Sequence, residues 1–276
     1  MTVFVIAEAG INHNGKLDTA LMLCAAAKAA GADAVKFQLY DPHAMARPEM
    51  REMLIANLLS DADHAKVKAH CDTLGIEYMA SCFSPERVDF ALSLRVKRLK
   101  IGSGELTNHA LIAHAATTRL PVILSTGMAT MDDIFRSHAA FQEAGGGDLA
   151  LLHCVSNYPT VPEHCNVRGI VTLDRNFNVE LRPGIWRKTT IGYSDHSLYD
   201  APSVMAVALG AKIIEKHFTL DRSLRGPDHA MSLEPDGLRR FVRAVRVAEA
   251  CAGDGDRNRL QPGEEAMRDK VRGRWG

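Results

Sequence analysis

The chain has 276 residues, 46% of them hydrophobic, and its 33 Lys plus Arg balance 33 Asp plus Glu. That length suits one large core, such as the roughly 250 residues of an α/β barrel, better than two modest ones. Zero formal net charge excludes a global field that would draw nucleic acid or an anionic membrane, which leaves small-molecule chemistry.

In chain order, VFVIAE (3–8) predicts a first strand and DTALMLCAAAKAAG (18–31) a helix stopped by glycine. DAVKFQ (33–38) is the second strand and DADHAKVKAHCDTLG (61–75) the next helix. IEYMAS (76–81), RLKIGS (98–103) and PVILS (121–125) follow as strands, then MDDIFRSHAAFQEAG (131–145) as a helix. DLALLHC (148–154), TIGYSD (190–195) and AKIIEKHF (211–218) complete eight strands. Continuous apolar runs suit strands covered on both faces, with helical crossovers between parallel neighbours.

Periodicity does not separate an open, doubly wound sheet from a closed barrel, but the polar residues do. Glu8, Lys36, Gln38, Ser81, Lys100, Ser103, Ser125, Ser156, Ser194, His196 and His217 fall in or just beyond the C-terminal halves of strands, from first to last. A barrel gathers all its C-terminal strand ends at one mouth, whereas an open sheet converges only a few at a switch point. The expected fold is therefore α/β, a single (β/α)8 TIM barrel over residues 1–253. The charged stretch 254–276 is expected to be a polar tail or linker.

Six scattered cysteines without a CxxC pair read as reduced thiols of a cytoplasmic protein. The opening residues carry no basic stretch followed by a long apolar one, so a signal peptide is not expected, and no apolar run approaches the roughly 20 residues that span a bilayer.

His196 and His217 close the seventh and eighth strands. Neighbouring strands run about 4.8 Å apart, so two imidazoles at equal depth can share one ion, with Glu8 on the adjoining first strand adding an oxygen. Taken singly, each histidine is more simply a packing residue, and it is the pairing beside Asp195 that favours a metal. Lys36 and Lys100 interrupt apolar strands and must be paired, either by an anionic ligand or by a carboxylate such as Glu8 or Glu105. GSGELTN (102–108) and STG (125–127) could each be simple turns. On successive strand ends beside two lysines, they suggest a phosphate pocket with Glu105 as a proton donor or acceptor. Asp228 lies in RGPDHAMSLEP (225–235), a loop placed to bind substrate hydroxyls.

Together these stretches resemble the sialic acid (N-acetylneuraminate) synthases and their legionaminic and pseudaminic acid relatives. The resemblance rests on IAEAGINHNG (6–15), GADAVKFQ (31–38), KIGSGELTN (100–108), PVILSTGMAT (121–130), LLHCVSNYP (151–159), GYSDHS (192–197) and the segment 208–236 with its EKHFT and GPDH. It implies condensation of phosphoenolpyruvate with an open-chain, N-acetylmannosamine-like aldose to give a sialic-type acid and phosphate. It also implies metal ligation by His196 and His217, with Mn²⁺ as the expected ion and Mg²⁺, Co²⁺, Zn²⁺ or Fe²⁺ as alternatives. Glu8, a catalytic residue in this reading, would stand near the metal and the aldehyde and Glu105 would manage protons at the reacting carbons, while Lys36, Ser81, Lys100, Ser103, Ser125, Ser156 and Ser194 would hold phosphoenolpyruvate. Gln38, Tyr158 and Asp228 would meet the acceptor, and Asn12 and Asp195 fall in shared motifs.

Three departures qualify the match. ASCF (80–83) stands where many members have STPF, and Ser156 stands where some carry Asn. Members also usually continue into an antifreeze-like domain that reaches across a homodimer to the acceptor, whereas LQPGEEAMRDKVRGRWG (260–276) resembles only the linker toward it. A separate antifreeze-like protein is thus a possible partner. The alternative functions are synthesis of another 2-keto-3-deoxy sugar acid from a different aldose, and a non-catalytic ligand-binding barrel.

Overall fold

The computed structural model describes residues 2–44, 48–178, 180–182, 185–186 and 188–272. Its parallel strands β1 (Phe4–Gly10), β2 (Ala34–Leu39), β3 (Glu77–Cys82), β4 (Leu99–Ile101), β5 (Val122–Ser125), β6 (Leu149–Cys154), β7 (Thr190–Asp195) and β8 (Ile213–His217) close into a barrel. The last strand returns to the first, with Phe4 opposite Ile213 and Glu8 opposite His217. Closure leaves no strand edge to protect. The TIM-barrel expectation is met.

The differences are local. The fourth strand is three residues long, because the chain turns at Gly102 into a 3-10 turn at Ser103–Glu105. A helix at Pro48–Ala56 and a small antiparallel pair, Glu180–Arg182 with Ile185–Trp186, were not anticipated. Within the predicted tail, Glu264–Arg272 is helical with no buried residue. Acidic residues in its first turn and basic ones in its last complement the helix dipole, so local preference rather than packing accounts for it. Among the described residues, no helix is long and apolar enough to cross a membrane.

Apolar side chains form two layers. One lies between strands and helices, where Pro235–Ala252 buries Leu238, Phe241, Val242 and Val245 along one stripe. The other fills the barrel, with Ile6, Ala34, Met79, Ile123, Leu152 and Ile213 among its members. Side chains alternate along a strand, so the next inward residue sits two positions on. From those apolar positions the step leads to Glu8, Lys36, Ser81, Ser125, Cys154 and Glu215. The barrel therefore has a dry floor with a polar set standing on it.

Two histidines are buried in the outer layer beside Phe37, His64 at 2% exposure and His13 at 1%. His64 Nδ1 faces the Tyr78 hydroxyl at 3.0 Å. Burial lowers their pKa values from 6.5 to about 4 for His64 and about 3 for His13. Each folded pKa lies below the unfolded one, so this stability is fully present above pH 6.5 and is lost as pH falls through the folded values. The contribution is about 3 kcal/mol for His64 and about 5 kcal/mol for His13. Urea unfolding should show stability declining between pH 6.5 and 4, with His64→Gln removing about one proton from the slope. An unchanged slope in the variant would exclude His64 as its source.

Candidate active site

The polar set opens into a cavity of about 280 Å³ at the C-terminal mouth of the barrel. At its base, Lys36 Nζ lies 2.7 Å from Glu8 Oε2 and 3.7 Å from Glu215 Oε2, and donates to Ser81 Oγ at 2.6 Å. Lys100 Nζ is 3.7 Å from Glu215 Oε1, which also accepts from Ser194 Oγ at 3.1 Å. Glu8, Lys36, Glu215 and Lys100 thus form an alternating ladder, each at most 4% exposed. Alternation is what makes four buried charges tolerable, since any one of them unpaired would cost several kcal/mol.

The two carboxylates are not equivalent. Burial pushes Glu8 up to about 7, with Lys36 opposing and the negative charge of Glu215 reinforcing the rise. Burial acts the same way on Glu215, but Lys100 and Lys36 together outweigh it and hold that carboxyl below its usual range. Burial likewise works against both ammonium groups. Glu215 and Glu8 reverse its effect at Lys36, whereas Lys100 stays lowered. One acid is poised near neutrality beside one that is firmly ionised.

Above the ladder, the rings of His196 and His217 stand 5.4 Å apart, centroid to centroid. His196 Nδ1 is 2.8 Å from the Val155 carbonyl and donates to it, which leaves Nε2 as the lone-pair nitrogen. Buried His217 Nδ1 has no hydrogen-bond partner and lies 3.8 Å from Asp228 Oδ2. Burial, reinforced by His196, lowers the pKa of His217 and keeps that ring neutral. Tyr158 stacks on His196 at 4.2 Å and is 53% exposed at the mouth. Two imidazoles, one oriented by a carbonyl and the other neutral and left unsatisfied, fit a divalent cation. Among the described residues, no three His, Cys, Asp or Glu side chains gather at ligand spacing. Such an ion would therefore draw its remaining ligands from water or substrate, as open sites do.

The walls are equally constrained. A Cβ on Gly127 would stand 2.3 Å from Ser156 Oγ and 2.8 Å from Ser103 Oγ, so only glycine fits there. Its N–H donates to Ser103 Oγ at 3.0 Å. The buried hydroxyls of Ser125 and Ser156 have no partner, which leaves them free for a ligand. At Gly10, where φ is +53°, a Cβ would lie 3.3 Å from Asp228 Oδ2, 3.4 Å from Glu8 Oε1 and 3.5 Å from Gln38 Nε2. Those three polar atoms converge over the end of β1.

Of the residues anticipated from sequence, Glu8, Lys36, Gln38, Ser81, Lys100, Ser103, Ser125, Ser156, Tyr158, Ser194, His196, His217 and Asp228 all line this one cavity. Glu105 is not among its lining residues; it ends the 3-10 turn and accepts from Asn108 Nδ2 at 2.8 Å. Asp195 pairs with Lys216 at 2.9 Å and accepts from Ser203 at 2.7 Å, on the helix side of the barrel. Asn12 donates to the Phe218 carbonyl and to Ser232 Oγ, tying the first loop to the last. Glu215 and Cys154 line the cavity without having been singled out. Alternation carried the signal: if His217 points inward, so does Glu215 two residues earlier, and Cys154 follows Leu152 in the same way.

Residues 23–257 match the NeuB family. The N,N'-diacetyllegionaminic acid synthase of Legionella pneumophila is 40% identical over 277 aligned positions, covering 93% of this chain and 75% of that protein. The pseudaminic acid synthase of Campylobacter jejuni is 36% identical over 285 positions, covering 98% and 79%. The crystal structure of a sialic acid synthetase from Leptospira borgpetersenii, in complex with citrate, superposes with a TM-score of 0.88 at 32% identity, covering 99% of this chain and 93% of that one.

Proposed function

The chain belongs to the NeuB family, and from that premise we propose that it condenses phosphoenolpyruvate with an open-chain, N-acylated hexosamine to give a nonulosonic acid and phosphate. The observation that carries this reading is the buried ladder Glu8–Lys36–Glu215–Lys100 standing beneath the two imidazoles of His196 and His217 in one cavity.

In this reading Lys36 and Lys100, with the hydroxyls of Ser81, Ser103, Ser125, Ser156 and Ser194, hold the phosphate and carboxylate of phosphoenolpyruvate. Those groups are fixed before the substrate arrives, so charge developing on the departing phosphate meets donors that need no reorganisation. His196 and His217 hold a divalent ion, Mn²⁺ by expectation, whose chemistry when bound is Lewis-acid polarisation of the acceptor aldehyde. Gln38, Tyr158 and Asp228 orient the sugar chain. C3 of phosphoenolpyruvate bonds to the aldehyde carbon, water adds at C2, and C–O cleavage expels phosphate to leave a 2-keto acid. Glu8 Oε1, on a carboxyl poised near neutrality, can give a proton to the new alkoxide and take one from the attacking water. Glu105 is one residue beyond Gly104 of the cavity wall and is assigned the second proton-handling role.

A homodimer, with an antifreeze-like domain supplied in the same chain or by a separate protein as the lid, belongs to the same proposal. The exposed face of Tyr158 at the mouth supports it. So does a cytoplasmic location, supported by six free cysteines. The test is phosphate release from phosphoenolpyruvate across a panel of aldoses. Release should require both a divalent metal and an N-acylated hexosamine. Release only with phosphorylated pentoses or tetroses would reassign the acceptor, and none with any aldose would remove the reading.

A further inference from the structure

The ladder between β7 and β8 stops one rung short of the two histidines. Tyr193 stands opposite Ile214, Ser194 opposite Glu215 and Asp195 opposite Lys216. Asp195 ends β7, so His196 already belongs to the turn that follows. Side chains alternate along both strands. Ser194 and Glu215 face the cavity and meet at 3.1 Å, and His196 and His217, two positions on, face it as well. The rung between them, Asp195 with Lys216, faces outward into the helix layer and does not line the cavity.

There both residues are 1% exposed, with Lys216 Nζ 2.9 Å from Asp195 Oδ2. Each partner also reaches the turn beyond His196. Asp195 Oδ1 accepts from the Ser197 N–H at 2.8 Å, spanning His196. Its Oδ2 accepts at 2.7 Å from Ser203 Oγ, in the helix Ala201–Ala208. Lys216 Nζ donates to the carbonyls of Ser197 at 2.6 Å and Tyr199 at 3.2 Å. The residue before His217 is thus tied to residues on both sides of His196.

Packing alone does not call for this cluster, because an apolar pair of similar volume is often as stable as a buried ion pair or more so. What an apolar pair cannot supply is direction. The hydrogen bonds of Asp195 and Lys216 fix where the turn leaves β7 relative to the end of β8. A functional constellation must hold its geometry to about 0.5 Å. The Val155 carbonyl orients the His196 ring but does not set its distance from His217.

We propose, resting on the metal role assigned to His196 and His217 above, that Asp195 and Lys216 are positioning residues. They clamp the ends of β7 and β8 so that the two imidazoles stand at the spacing one divalent ion requires.

The experiment titrates Mn²⁺ calorimetrically into the wild type, Asp195→Asn, Lys216→Met, the double variant and Ser203→Ala, with melting temperatures measured alongside. Each charge-removing single variant strands one buried charge and should melt lower, and the double variant should recover much of that loss. The double variant removes one charge of each sign, so the net charge near the ion is unaltered and weaker binding there reports geometry. Its Mn²⁺ affinity should fall about tenfold or more, the usual effect of removing support behind metal ligands. Affinity that stays low while the melting temperature returns marks positioning rather than general stability. Ser203→Ala removes one bond to Asp195 and no charge, and should weaken Mn²⁺ by about threefold. Wild-type Mn²⁺ affinity in the double variant or, should that variant not fold, in Ser203→Ala overturns the clamp alone. Absence of Mn²⁺ binding by the wild type overturns the metal role and this inference with it.

Discussion

His217→Ala should lower turnover by about a thousandfold or more while the barrel stays folded. The residue ends β8 opposite Glu8, and its buried Nδ1 has no hydrogen-bond partner. Truncation therefore strands no neighbour, and its stability cost should stay within about 1 kcal/mol. The loss falls on chemistry. With one imidazole of two removed, the divalent ion has no protein pair to hold it. Lewis-acid polarisation of an aldehyde contributes several kcal/mol to the transition state, each 1.36 kcal/mol being about tenfold in rate. Phosphate release measures the rate, circular dichroism melting the fold, and calorimetric Mn²⁺ titration the ion itself. Turnover above about a tenth of wild type, or wild-type activity unaltered in excess chelator, would remove His196 and His217 from the metal role.

Lys36→Met should damage both stability and activity, for separable reasons. Lys36 lies 2.7 Å from Glu8 and 3.7 Å from Glu215. Without its ammonium, two carboxylates face each other in a barrel interior where they are at most 4% exposed. Removing one partner of a buried ion pair costs about 3–5 kcal/mol, because the remaining charge is left uncompensated. Glu8 would then protonate more readily still, since the lysine is what opposes its upward shift. Adding Glu8→Gln should restore part of the lost stability, because one stranded charge goes with it. It should not restore phosphate release, because the proposed phosphoenolpyruvate cradle still lacks its lysine. Denaturant melts of the two variants decide the first point and initial rates the second. A double variant as active as wild type would make Lys36 a purely structural cation.

Lys36 also illustrates what the linear sequence leaves open. An ammonium inside an apolar strand signals a partner, but either an anionic ligand or a carboxylate would satisfy it. In the folded chain Glu8 takes that place. Glu215 went unnoticed because KIIEKH contains two charged residues, and only the alternation that follows from an inward His217 says which one enters the barrel. Lys216 faces the helix layer, with Asp195 at 2.9 Å, and Glu215 faces the ladder. Glu105 presents the reverse case. It stands in a motif that suggested a proton donor or acceptor beside the phosphate pocket, and in the folded chain it ends the 3-10 turn and accepts from Asn108 just outside the cavity lining.

Local order was legible because it is written in short-range terms. Apolar runs, glycine stops and polar residues at strand ends placed all the barrel strands, and the polar ends argued for closure. What required three dimensions is whatever depends on residues far apart in the chain. Closure sets Glu8 beside His217, 209 positions away, and brings Asp228 and Gln38 to the same point above Gly10. Side-chain alternation has a period of two and can be read from a few residues. Which alternating faces meet across the barrel is set by the register of strands tens to hundreds of residues apart, and that is decided by packing the whole core at once.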